Sequence, residues 1–525
     1  MQYDVILKNG RIIDGNGNPW YKGEVAIKDG HIKKVGSLIN GNCTEEIDVN
    51  NNIICPGFID VHSHSDYVFF IDSTAQSKVR QGVTTEVTGN CGMSGAPYLE
   101  SLKQYKPSSF NFLPFWNTIE EFICALSKQP KTVNIAPLVG HGTLRSAIVG
   151  LEDREPTKEE FIKMKQTLAE GLEAGSFGLS TGLYFAPGAY AKKQELVELA
   201  KIVADYGGIV ASHIRDEGIH TVGFIPSIKE IINIGREAVV PIQISHLKAF
   251  GPDVWGLSEE VLKIINEARN EGIDVTFDQY PYTATGGGLP NDVLPLNFLN
   301  GKDAEEVQVE LKKAKVREKI KDEVAYNIKL RGGAENQTIA DYPFNHDLEG
   351  KTLQEISNEW KKEPAEVAMD IISNYYSASW VSHALSPDDV DNFIKYPGGM
   401  IGSDGSSLSE KGILSEGNPH PRNFGTFPHV LKEYVKERGI LKLEDAIRKM
   451  TSLPAQRFSL SNRGCIDEGK WADIVILDEN KIMDATFENP KQYPEGISHV
   501  MVNGEWVIKN GDFTGNLPGR LARMK

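Results

Sequence analysis

Eight short apolar runs, alternating with longer helix-like stretches, set the tightest limit on what this chain can fold into. From Pro56 onward they read GFIDVHSH, GVTTEVTG, NIAPLVGH, FGLSTGL, GIVASHI, PIQISHL, IDVTFDQYP and GGMIGSD. Runs that are apolar throughout, rather than alternating, are strands buried on both faces. Two of the intervening stretches, 157–174 and 192–206, read as amphipathic helices, the first opened by Thr157 and Glu160 at capping-box spacing. Such a βαβα alternation builds a parallel sheet covered by helices, and eight strands match a closed (β/α)8 barrel of the α/β class. A doubly wound open sheet is the alternative. It is disfavoured because the polar, reactive residues fall at the C-terminal ends of nearly all the runs, as a closed ring of strand ends requires.

The two ends of the chain have a different texture. Asn9-Gly10 and Asp29-Gly30 each separate β-rich runs near the start, and Asn503-Gly504 repeats the signal near the end, so hairpins are expected at all three. Neither end carries enough apolar residues for a core of its own. The economical arrangement is one small β-sandwich, with 1–55 and 465–525 as its halves, flanking a barrel over 56–464. One stretch inside the barrel breaks the rhythm. From Gly286 to about 353 the chain runs through three glycines and a charged helical segment, expected as an inserted lid subdomain at the catalytic end.

Composition removes several classes of function. A formal net charge of −16 makes a phosphate-binding surface, and so nucleic acid, a poor expectation. No signal-peptide core opens the chain and no run reaches bilayer length, so a cytoplasmic protein without a membrane segment is expected. The five cysteines, 43, 55, 91, 124 and 465, are odd in number and scattered, and make no disulfide framework.

One of them has telling company. His62 and His64 form an HxH pair after the first run, both facing one side by the strand period of two. Cys91 closes the second run, His213 the fifth, His246 the sixth and Asp404 the eighth. A lone strand-end histidine is usually just hydrogen-bonded, and a buried cysteine is usually a small hydrophobe. Six metal-competent side chains at five strand ends make coincidence the minor explanation, and imidazole with thiolate favours zinc. His31, His346, His429 and His499 lack this placement and are assigned to structure or surface. His141, which also ends a run, could line the site without being a ligand.

With these residues in view, PGFIDVHSHSD after a β-rich opening resembles the amidohydrolase superfamily. Within it, TGNCG, SHIRDEG, SHLK, DQYPY, GSDG, HPRNFGTF and the closing FTGNLPGR resemble the N-acyl-D-amino-acid deacylase (D-aminoacylase) family over essentially the whole chain. Many amidohydrolases bridge two metals with a carboxylated lysine on the fourth strand. GLSTGL has no lysine, and the resemblance makes Cys91 the substitute. It further implies a tight zinc on Cys91, His213 and His246, and a weaker or dispensable second site on His62, His64 and Cys91. Asp404 is then the general base and acid of amide hydrolysis. The resemblance assigns the substrate's free carboxylate to Lys248, Tyr280 and Arg422, an N-acyl-D-amino acid being the small-molecule partner. Arg215 is expected to brace the His213 strand or the site wall, and Thr285 with the following glycines occupies a stretch that contacts substrate in relatives. A hydantoinase- or dihydropyrimidinase-like cyclic-amide hydrolase, a D-dipeptidase and a non-catalytic scaffold are the competing readings. Oligomeric state is not legible.

Overall fold

The structure is a computed structural model and describes residues 2–98 and 114–524. Eight parallel strands carry the apolar runs: β1 (Phe58–Asp60), β2 (Val83–Thr88), β3 (Asn134–Pro137, resuming as Val139–Gly140), β4 (Gly178–Gly182), β5 (Ile209–His213), β6 (Ile242–Ile244), β7 (Val275–Gln279) and β8 (Gly399–Ile401). Every residue within them is buried, which is why their sequences do not alternate. Each strand pairs in parallel with the next from β1 through β8. The ring closes just past the ends of β1 and β8, where a parallel bridge joins Ser63 to Gly405 and the Asp404 amide donates to His62 O at 2.8 Å. The fold is therefore the (β/α)8 barrel. Its interior is filled by Ile59, Val61, Val87, Ala136, Ala211 and Met400, and is plugged at the N-terminal end by Phe458 and Leu460. Chemistry is left to the opposite mouth.

The helices lie outside. Lys158–Glu173 opens with the expected capping box, Thr157 accepting from the Glu160 amide while Glu160 reaches back. Lys193–Asp205 follows it, turning Leu196, Leu199, Ala200 and Val203 inward.

A nine-stranded sheet takes strands from both ends of the chain, Ile474–Leu477 lying antiparallel to Ile53–Pro56 at the junction. Asp29-Gly30 and Asn503-Gly504 turn hairpins, with positive φ at both residues of each pair. Asn9-Gly10 does not. Gln2–Ile12 is one continuous strand there, and Asn9, at φ 56°, makes a bulge between Leu7 and Gly10 in the pairing with Tyr21–Lys28. The same left-handed preference that suits a turn serves the bulge.

The insert has its own core. A three-stranded sheet of Thr285–Gly288, Ser379–Ser382 and Gln337–Asp341 packs with helices around Leu289, Val307, Val324, Ile356, Ile371 and Trp380. That core runs on past 353, because the central strand Ser379–Ser382 arrives last. Among the described residues no helix is long and apolar enough to cross a membrane.

Candidate metal centre and substrate pocket

At the C-terminal mouth the strand ends deliver six side chains to one point. The ligand atoms of Cys91, His213 and His246 all lie within 4.8 Å of one another, as do those of His62, His64, Cys91 and Asp404. Cys91 belongs to both groups. Its Sγ stands 3.2 Å from His246 Nε2 and 3.3 Å from His62 Nε2. Asp404 Oδ1 lies 3.0 Å from His64 Nε2 and 3.4 Å from His62 Nε2.

The backbone is bent to make this possible. Cys91, His246 and Asp404 have φ of 53°, 33° and 50°, the left-handed region that residues other than glycine seldom occupy. Each such residue costs about 1–2 kcal/mol, and concentrations of this strain mark functional sites. Hydrogen bonds hold the strained turns: His246 N donates to Asp278 Oδ1 at 2.8 Å and Leu247 N to Asp278 O at 2.8 Å.

The donor set fits a soft divalent metal. Both ring nitrogens of His213 are buried, and neither has a hydrogen-bond partner among the described residues. Stranding two polar atoms in this way is costly unless an ion takes one of them. Burial alone would push the Cys91 thiol up, but the imidazoles of His246 and His62 outweigh it and bring the group well below the usual thiol range. A thiolate with two imidazoles and no lysine in reach on β4 is a zinc set with one coordination position open.

Carboxylates brace the ligands from behind. Glu217 Oε1 is 3.2 Å from His246 Nδ1 and 2.5 Å from Lys248 Nζ, while Asp278 Oδ1 is 3.2 Å from His62 Nδ1. Such outer partners fix ring orientation and basicity. Burial would raise the Glu217 carboxyl, but Lys248, His213 and His246 bring it down to about 2. Glu217 and Asp278 were not singled out in the sequence. Each lay inside a motif, SHIRDEG and DQYPY, and spacing four residues beyond a strand-end histidine was the available signal for the first.

Beneath the β1–β8 closure lies a polar network with no signal in the sequence. The fully buried Lys78 donates to Asp60 Oδ2 at 2.7 Å, and Asp60 Oδ1 accepts from Ser403 N at 2.9 Å and from His62 N at 3.2 Å.

The remaining expected residues meet around Tyr280. The guanidinium of Arg422 sits 5.2 Å and the ammonium of Lys248 5.6 Å from its ring centroid. Arg422 Nη1 donates to Asp404 Oδ2 at 2.7 Å, and Nη2 makes a longer bond of 3.3 Å to Gly286 O. Burial would raise the Asp404 carboxyl, but Arg422 and His246 hold it well below the usual carboxylate range. The Tyr280 hydroxyl is buried and has no hydrogen-bond partner among the described residues. Burial, only partly offset by Lys248 and Arg422, pushes its phenol up to about 12. All these groups except Tyr280 open onto a cavity of about 560 Å³, walled in part by the insert through Thr285–Gly288, Asp292, Arg331 and Asp341.

Other histidines are placed elsewhere. His141 is buried against Glu195 at 2.8 Å, which Arg145 also engages. His31 stacks on Trp471, His346 pairs with Glu349, His429 with Asp484, and His499 packs on Trp506. Arg215 forks onto Glu230 and donates to Ala189 O and Ala191 O, bracing the loop that follows β4.

A closed parallel barrel with a Cys–His–His set and a carboxylate at its C-terminal mouth defines a metal-dependent hydrolase. Residues 45–285 and 414–508 match the amidohydrolase family. The chain is 33% identical to a D-aminoacylase of Alcaligenes xylosoxydans xylosoxydans, over 99% of this chain and 97% of that one. It is 32% identical to an N-acyl-D-glutamate deacylase of the same organism, over 99% and 96%. The N-acyl-D-glutamate deacylase of Bordetella bronchiseptica, solved with zinc and a phosphonate mimic of the tetrahedral intermediate, superposes with a TM-score of 0.84 at 30% identity, covering all of both chains. The chain belongs to the N-acyl-D-amino-acid deacylase family of the amidohydrolases.

Proposed function

We propose that this protein is a zinc-dependent hydrolase of N-acyl-D-amino acids, releasing a carboxylate and the free D-amino acid. One observation carries the reading. Asp404 stands between the donor set and the cationic corner, with Oδ1 toward His64 and His62 and Oδ2 on Arg422. A substrate whose amide lies at the donor set and whose α-carboxylate lies near Arg422 spans that gap.

Cys91, His213 and His246 hold the tight metal in this reading, and His62 and His64 with Cys91 form the weaker second site. Zinc bound there supplies Lewis acidity, polarising the amide carbonyl and lowering the pKa of an adjacent water. Asp404, ionised at neutral pH, takes the proton of the attacking water and passes it to the amide nitrogen as the C–N bond breaks. Arg422 holds the Asp404 carboxylate in place through Nη1 and has Nη2 for the substrate carboxylate. Tyr280, protonated at any physiological pH and packed against both Arg422 and Lys248, backs the same corner with an unused hydroxyl, and Lys248 adds charge from the β6 side. The activities for which the relatives are named support the D configuration.

The same reading sets domain limits near 55 and 465, with the insert roofing the pocket. It takes an N-acyl-D-amino acid as its small-molecule partner, as the relatives' named activities suggest, and a cytoplasmic setting. The test is turnover of N-acetyl-D- and N-acetyl-L-amino acids side by side, with zinc per chain measured on the same sample. Zinc near one per chain and a strong D preference are expected; equal or L-preferring turnover defeats the reading.

A further inference from the structure

Among the described residues lining the cavity, Arg331 is the one arginine or lysine besides Lys248 and Arg422. It follows the insert helix Ala314–Leu330, is buried, and packs its guanidinium 4.6 Å from the Phe250 ring centroid and 5.9 Å from that of Tyr184. Its charge is already matched. Nη2 donates to Asp292 Oδ1 at 2.7 Å and to the Tyr184 hydroxyl at 2.7 Å, and Nε donates to Asp292 O at 3.3 Å. The second oxygen of Asp292 accepts from Trp380 Nε1 at 2.7 Å, so the carboxylate is fixed from both sides.

This pair stands next along the wall from the proposed α-carboxylate corner. Arg422 donates to Gly286 O, and a Cβ on the following Gly287 would run into the Asp292 carboxylate. The glycine run is what lets the two arginines share one cavity wall. An acidic substrate side chain entering between them would shed water beside an arginine that is already neutralised, and would gain no new ion pair in return. The other carboxylates on the wall, Asp66, Glu217, Asp341, Asp404 and Glu416, would repel it, and the remaining cation, Lys248, is already paired with Glu217. Phe185, Val68, Met93 and Leu414 offer apolar surface instead.

We propose that Asp292 is a specificity-determining residue: by holding Arg331 in a buried ion pair, it makes this deacylase select apolar side chains and exclude acidic ones. The inference rests on the proposed function and sharpens it, since comparable identity to relatives named for different substrates does not separate side-chain classes.

The experiment compares kcat/KM for N-acetyl-D-leucine and N-acetyl-D-glutamate in the wild type and in Asp292→Asn. That substitution removes the charge and keeps an oxygen for Trp380. The wild type should favour the leucine derivative by roughly tenfold or more, and D292N should raise the glutamate-to-leucine ratio by a similar factor. Adding Arg331→Met to D292N should abolish the gain. A ratio unchanged by D292N, with both substrates falling together, assigns Asp292 a purely structural role and overturns the inference while leaving the deacylase reading intact. If D292N does not fold, the wild-type ratio decides: equal turnover of the two substrates overturns it. A zinc-loaded wild type that hydrolyses neither of these nor any other N-acetyl-D-amino acid defeats the function itself.

Discussion

Cys91 is within reach of both halves of the donor set, so its loss and the loss of a histidine from one half are not equivalent. Cys91→Ala should strip the tight metal and reduce activity by about 100-fold or more, as removal of the one thiolate of the donor set implies. His62 belongs to the second group alone, meeting the first only through the shared Cys91, so His62→Ala should leave much of the activity, within roughly tenfold of wild type. Zinc per chain alongside kcat checks both, and a metal-free H62A with a metal-loaded C91A would reverse the ranking. Arg422→Ala tests the other end of the site. Because Nη1 holds Asp404 Oδ2 at 2.7 Å, this arginine does more than the proposed binding of the substrate carboxylate. Losing it should raise KM by about 10–100-fold, from one charge-assisted pair of about 1.5–3 kcal/mol, and should also lower kcat while zinc content stays unchanged. A change in KM alone would separate Arg422 from Asp404 in function. The residue types of the site were legible because imidazole, thiolate and carboxylate recurred at strand ends. The pairing of Arg422 with Asp404 was not, since nothing in the sequence says which way a guanidinium 18 residues along will fork.

Between the elements, the weakest point of any barrel is the seam where its last strand meets its first. Here β8 and β1 share no regular ladder, and the seam hangs on the Ser63–Gly405 bridge and on the buried network of Lys78, Asp60 and Ser403 beneath it. Asp60 has both oxygens engaged, and it holds the backbone of His62 and of Ser403, which precedes Asp404. Lys78→Met should therefore destabilise the fold by about 3–5 kcal/mol, the cost of leaving one buried carboxylate unpaired. Lys78→Met combined with Asp60→Asn should recover part of that loss. A denaturation midpoint unmoved by K78M would show that the seam does not depend on the pair. The sequence revealed the strands and the helix Lys158–Glu173 through periodicity and capping. It concealed the seam, because a lysine in the short helix Gln76–Val79 reads as a surface residue. It also misled at Asn9-Gly10, where a turn and a bulge use the same left-handed residue. Nor could it show the left-handed φ at Cys91, a residue type that does not favour that region, or single out His246 from the other histidines for it.

At the scale of the whole molecule, the chain's end is worked into the barrel at the side away from the chemistry. The last residues run along the start of β3: Gly519 N donates to Lys131 O at 2.8 Å, Ile135 N to Arg520 O at 2.9 Å, and Ala522 N to Ile135 O at 2.7 Å. Met524 N reaches Gly175 O at 3.1 Å, Ala522 and Met524 pack on the plug around Phe458 and Leu460, and Arg520 covers Trp471 of the terminal sheet at 4.5 Å. The segment thus ties the sheet to the barrel floor, while His62, Cys91, His213 and His246 look out of the opposite mouth. Deleting residues 515–525 should expose the plug and lower the unfolding temperature by roughly 2–4 °C, as a loss of a few kcal/mol implies for a chain of this length. Zinc per folded chain and KM should remain as in the full chain, because none of the segment's described residues lines the pocket. If the truncated protein melts as before, the tail is an ornament. If it keeps its melting point but loses metal, the floor and the mouth are coupled through β3 in a way that the packing does not predict.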